Sequence, residues 1–181
     1  WRRILNAHVR LGHPEDATAL ARLASADYIP EIARIGALMG LASWTRPSAL
    51  DPVTGEWRPR KPGTSEEVRE AVAPQLARLL DSATPDSLLA LAAVCENHKI
   101  TGVEQSLAAL LSDDAAPELA RVTAMQFLGR IDSRRLRPLL EATLRNSSEA
   151  LRAESITQVA AIDQTAASAL IPARIDGGGV A

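Results

Sequence analysis

The sequence predicts an all-α protein, built as a right-handed α-α superhelix in which helix pairs stack one on the next. Three observations carry that expectation. Glu118 to Asp132, ELARVTAMQFLGRID, returns as EALRAESITQVAAID from Glu149 to Asp163, an offset of 31 residues that suits one helix-turn-helix unit. Pro30 to Trp44 (PEIARIGALMGLASW) matches Pro117 to Ile131 (PELARVTAMQFLGRI), with Pro, Glu, Ala, Arg, Ala and Leu in register. The hydrophobic fraction, 46%, is mainly alanine and leucine with only 3% aromatics, and strict alternation is absent, which favours helix over strand.

Taken in order, Trp1 to Leu11 place Ile4, Leu5, Val9 and Leu11 at helical spacing, and Gly12 stops the run. This reads as the second helix of a repeat. Pro14 suits a first helical turn, and Ala17, Leu20, Ala21, Leu23 and Ala24 continue the stripe. Pro30 opens the next helix, expected to bury Ile32, Ile35, Leu38 and Leu41. From Thr45 to Gly63 the periodicity ends, because Pro47, Pro52, Pro59 and Pro62 remove donors and disfavour helix before them. Loops of this length are commonly functional, and Asp51 to Gly55 has turn chemistry.

Thr64 and Glu67 form a capping-box pattern, starting a helix with Val68, Val72, Leu76, Leu79 and Leu80 inward and a kink expected at Pro74. Pro85 starts its partner, with Leu88, Leu91, Ala92, Val94 and Cys95 on one stripe. Further helices are expected near 102–111, 117–130, 133–145 and 148–161, and an incomplete one from Gln164, with Ala167, Leu170 and Ile171 before Pro172. The total is about four helical pairs with a half unit at each end, in one domain spanning residues 1–181. Val122, Ala124, Met125, Leu128 and Ile131 recur as Ala153, Ser155, Ile156, Val159 and Ile162, which marks them as core.

Lys plus Arg number 20 against 22 Asp plus Glu, a net charge of −2 that argues against nucleic acid or anionic lipid as partners. The single cysteine, Cys95, excludes an internal disulfide framework and reads as a small core residue. His8, His13 and His98 lack metal-ligand spacing and read as solvated or capping residues. No apolar run approaches the ~20 residues that span a bilayer. Neither a catalytic dyad nor a phosphate-binding glycine loop is visible, and Gly177 to Gly179 precede no helix. The start inside a helix and the glycine-rich end suggest a segment of a larger protein.

The pattern PE[IL]AR[IV]xAxxxL on second helices, with aspartates in the preceding turns, resembles HEAT repeats of the short bacterial type over nearly the whole chain. A narrower resemblance rests on LDPVTGEWRP, from Leu50 to Pro59, and on the opening WRRILNAHVRLGHPEDA. These are similar to the HEAT-repeat region of large multidomain planctomycete-type proteins, where it accompanies a dehydrogenase-like β-propeller and often a c-type cytochrome module. That resemblance implies a periplasmic or exported location; without it the expectation is cytoplasmic. Covalent haem needs Cys-x-x-Cys-His, and the stretch Cys95-Glu96-Asn97-His98-Lys99 does not supply it, so no cofactor is expected. If the parent protein is an oxidoreductase, this segment is its spacer or docking scaffold.

Arg34, Arg121 and Arg152 share one repeat position, and Asp27 and Asp114 each stand seven residues before the first two. In HEAT-like repeats such residues resemble an aspartate–arginine ladder; a solvated face and an anion-binding row are the other readings. The third unit departs from it, with Arg145-Asn146-Ser147-Ser148 in place of the aspartate. Trp44 and Trp57 flank the loop, with Arg58 and Arg60 beside the second. That composition suits an interaction hot spot, while packing of Trp57 back onto the solenoid to pin the loop is the favoured reading.

The function expected is a non-catalytic scaffold that holds a protein or flanking domains of its own chain. It would use the 45–63 loop and a concave surface lined by Thr123, Gln126 and Arg130, against Glu154, Thr157 and Ala161 in the next unit. The alternative is a ligand-binding or enzyme-associated HEAT-like domain acting on tetrapyrroles or nucleic acid, with Trp44, Trp57 and Asp51 converging on a pocket.

Overall fold

The computed structural model describes residues 1–145 and 148–162. The protein is all-helical, and among the described residues the one β feature is an isolated antiparallel bridge between Leu50 and Trp57. The expected turn at Asp163-Gln164, the helix beyond it, Gly177 to Gly179 and the Asn146-Ser147 part of the third turn lie outside the described residues.

The chain divides into two compact units, Trp1–Val103 and the stretch from Glu104. The first contains α1 (Arg2–Leu11), α2 (Pro14–Ala24), α3 (Glu31–Ala42), α4 (Ser65–Val72), α5 (Leu76–Asp81) and α6 (Pro85–His98). Within it α1, α3 and α6 pack side by side, while α2 packs against both α3 and α4. The second unit contains α7 (Glu104–Ser112), α8 (Glu118–Ile131), α9 (Ser133–Leu144) and α10 (Glu149–Ile162). Here α7 pairs with α8 and α9 with α10, with α8 beside α10 and α7 beside α9.

Local chemistry explains most helix ends. Gly12 ends α1 in the left-handed region at φ 69°, and Thr64 and Glu67 make the expected capping box at the start of α4. Pro74 does more than kink its helix: a 3-10 turn at Ala73–Gln75 separates α4 from α5. Thr84 and Ser87 form a second capping box ahead of α6.

Most of the expected stripes are buried, Ala17, Leu20, Val68, Leu91, Cys95, Leu107, Leu128 and Leu136 among them. Several positions are corrected. Ile32 is 78% exposed, because α3 turns Ala33, Arg34, Ala37, Leu38 and Leu41 inward, one position round from the expected face. Ile4 and Leu11 lie largely on the surface of α1, and Ala153 is exposed on α10. α1 and α3 approach closely at glycine: a Cβ on Gly40 would stand 2.8 Å from Val9 Cγ2, and one on Gly36 would make a tight 3.0 Å contact with Leu5 Cδ1.

His98 is a further correction, since it is fully buried where three helices of the first unit meet. Its Nε2 lies 2.8 Å from the Leu41 carbonyl of α3, and its Nδ1 lies 3.1 Å from Ser65 Oγ at the start of α4. A carbonyl only accepts, so Nε2 carries the proton and Nδ1 accepts from the hydroxyl. Burial pushes the imidazole below its ordinary pKa, the Leu41 bond opposes that, and Arg69 and Arg46 add to it.

Candidate functional site

The 45–63 segment is clamped to the first unit at two points. One is Trp44, whose indole is fully buried and donates from Nε1 to Glu67 Oε2 at 2.8 Å. The same carboxylate accepts from the Thr64 amide in the capping box, so one side chain starts α4 and holds the indole. Those two bonds, the indole first, keep the Glu67 carboxyl below its ordinary pKa. Gly63 is required beside the ring, because a Cβ there would overlap Trp44 Nε1. Arg60 lies over the indole at 4.6 Å from its centroid and donates to the Trp44 carbonyl at 3.1 Å.

The second clamp is Asp51, also buried. Its Oδ1 accepts from the amides of Val53 (2.8 Å) and Thr54 (3.1 Å), closing an Asx turn, and Asn6 of α1 donates to both oxygens. The Val53 amide leads in holding this carboxyl below its ordinary pKa; burial opposes it, and Asn6, Thr54 and Arg10 assist. Arg10 is the other half of the clamp. It donates to the Ser48 carbonyl at 2.8 Å and to the Arg58 carbonyl, and it stands 3.7 Å from Asp51. Arg2 reaches the Pro52 carbonyl from the same helix.

Trp57 does not fold back onto the helices. It is 75% exposed, which corrects the favoured packing reading: the plug is Trp44. Buried, Trp44 cannot itself meet a partner. Arg58 is exposed and paired with Glu56 at 2.9 Å, whereas Arg60 is committed to Trp44. Trp44 and Asp51 are buried while Trp57 is exposed.

Between α1, α3 and the loop lies a groove of about 280 Å³. Leu5, Val9, Gly36, Gly40, Met39 and Leu50 make its apolar surface, and Arg2 and Arg10 are its cations. The one sequence signal of this close packing is the four-residue spacing of Gly36 and Gly40, which sets both on one face of α3.

In the second unit Gln126 is half-buried and donates to Glu154 Oε2 at 3.0 Å, so it ties α8 to α10. Arg130 is exposed, and Thr123, expected on the surface, is buried and bonded to the Leu119 carbonyl. The ladder forms in part. Asp114 pairs with Arg121 at 2.9 Å, whereas Asp27 pairs with Arg78 at 3.7 Å instead of with Arg34. What Arg34 and Arg121 share is a carbonyl: each Nε donates to the backbone ten residues earlier, Ala24 at 3.1 Å and Leu111 at 3.0 Å. Both carbonyls lie at the end of the preceding helix, where backbone acceptors lack intrahelical partners. Arg152 is half-buried on α10.

His8 and His13 both meet Asp16, at 2.8 and 3.5 Å, yet among the described residues no group of histidine, cysteine and carboxylate side chains is placed to hold a metal. No described helix is long and apolar enough to cross a membrane. Comparison with family models, curated proteins and solved structures finds no match to this chain.

Proposed function

We propose that the protein is a non-catalytic interaction module, a HEAT-like helical scaffold that presents the 45–63 loop to a protein or to another domain of its own parent chain. The observation that carries this reading is the contrast within the loop. Its two ends and its turn are held by buried groups, Trp44 and Asp51, while Trp57 is left 75% exposed. A large aromatic on an anchored backbone gains contact area at little conformational cost, which is what binding hot spots need. The alternation of side-by-side and paired helices inside each unit supports a solenoid of the HEAT kind. In a multidomain redox parent such a module is the spacer that seats the catalytic domains, in a periplasmic or exported setting.

A pull-down from host lysate, using the whole chain and its Trp57→Ser variant, tests the reading. The expected result is a partner retained by the native chain and lost from the variant at unchanged melting temperature. Equal retention by both chains defeats the loop as the contact.

A further inference from the structure

We propose that the groove between α1, α3 and the loop docks an acidic peptide segment through one apolar anchor side chain, with Trp57 as its lip; this rests on the interaction-module reading above. The groove surface is apolar, and the charged side chains lining it are Arg2 and Arg10, with no carboxylate among the lining residues. The charge around it is predominantly positive, because Arg10 and Arg58 balance Asp51 and Glu56 and the remaining basic groups exceed them. Residues 1–13 and 45–63 hold seven arginines and lysines against two carboxylates, in a chain whose net charge is −2. Both carboxylates are already engaged, Asp51 by Arg10 and turn amides and Glu56 by Arg58. A carboxylate-bearing partner is thus attracted to this face and a basic one repelled.

The groove, about 280 Å³, lies at the small end of ligand sites, which run to about 300–1,000 Å³. It is open along an exposed apolar rim, so a peptide can seat one side chain in it and run along the rim. Met39 and Leu50, each about half exposed, line the groove, and Trp57 stands next to Leu50. The Arg58 amide donates to the Ala49 carbonyl at 2.7 Å and the Asp51 amide to Glu56 at 2.9 Å. Leu50 and Trp57 are therefore the pair between those bonds, with side chains close together on one face of the ribbon. A peptide that continues past the groove covers these exposed apolar side chains.

The test is selection from a random decapeptide display library on the whole chain. Expected are enriched peptides with a leucine or aromatic residue flanked by Asp or Glu. Their binding should fall about tenfold or more on Trp57→Ser and on Met39→Glu, with circular dichroism and melting unchanged. Enrichment of neutral or basic peptides, or none above bare support, overturns the proposal. Peptides that need Trp57 yet ignore Met39→Glu overturn the groove while leaving the loop an interaction element. A selection that fails while the pull-down still yields a Trp57-dependent partner removes the peptide and spares the broader function.

Discussion

Trp44 and Trp57 carry the same side chain into opposite surroundings, and the difference lies in what stands beside each. Trp44 meets Glu67, Gly63 and Arg60 in a buried site. Trp57 meets Leu50 across a short ribbon and then solvent. Trp44→Ala is expected to cost about 3–5 kcal/mol, and Trp57→Ser less than about 0.5 kcal/mol, both read from denaturant melts. The capping box of Thr64 and Glu67 was legible in sequence because it is local. That Glu67 also holds an indole 23 residues away was not. Acid sensitivity belongs to this scale as well. His98 has a folded pKa below its ordinary 6.5, so its contribution to stability is complete above that value and is lost as pH falls beneath it. Glu67 and Asp51 are lowered from 4.5 and 3.8, so theirs is complete above those values and lost as pH falls further. Urea midpoints followed from pH 8 to pH 3 should therefore decline in two stages. His98→Gln should remove the upper stage and Asp51→Asn should diminish the lower.

At the level of helices, Arg34 and Arg121 share a backbone carbonyl acceptor and differ in their aspartates. Asp27 and Arg78 are both exposed, and such a surface pair is worth about 0–1 kcal/mol. Arg34, buried, donates to the last carbonyl of α2 and also to Ser82, and truncation leaves those acceptors without it. Arg34→Met should then destabilise by about 1–3 kcal/mol, against less than about 0.5 kcal/mol for Asp27→Ala, when both are compared by chemical melts. The shared position of Arg34 and Arg121 was visible in the repeat; their acceptors were not, because the repeat gives the spacing along a helix and not the direction of the guanidinium. The seam between α1 and α3 makes a parallel case. Gly40→Val should force Val9 aside and lower stability by about 1–3 kcal/mol through overpacking. It should also loosen the loop, seen as faster amide exchange at Val53 and Thr54, whose turn is tied to α1 by Asn6.

For the whole molecule, the first unit has its own buried residues, helix caps and loop clamps, all between residues 1 and 103. Residues 1–103 carrying Trp1→Phe and Trp57→Phe, which leave Trp44 as the one tryptophan of that stretch, should melt cooperatively by fluorescence, and a non-cooperative, fully quenchable signal would show that the unit needs the rest of the chain. Helical class, most helix boundaries, the break in periodicity at 45–63 and the core stripes of α2, α6 and α7 followed from the order of residues, because helix propensity, capping, proline and 3.6-residue spacing act within a few positions of the chain. Tertiary contact decided the rest: which tryptophan is buried, where the repeat arginines donate, that His98 is core, and that α1, α3 and the loop enclose a groove. Each of these depends on groups tens of residues apart, such as Asn6 with Asp51 or His98 with Leu41, and the pairing of such groups is settled by which helix faces meet, a choice that no local pattern encodes.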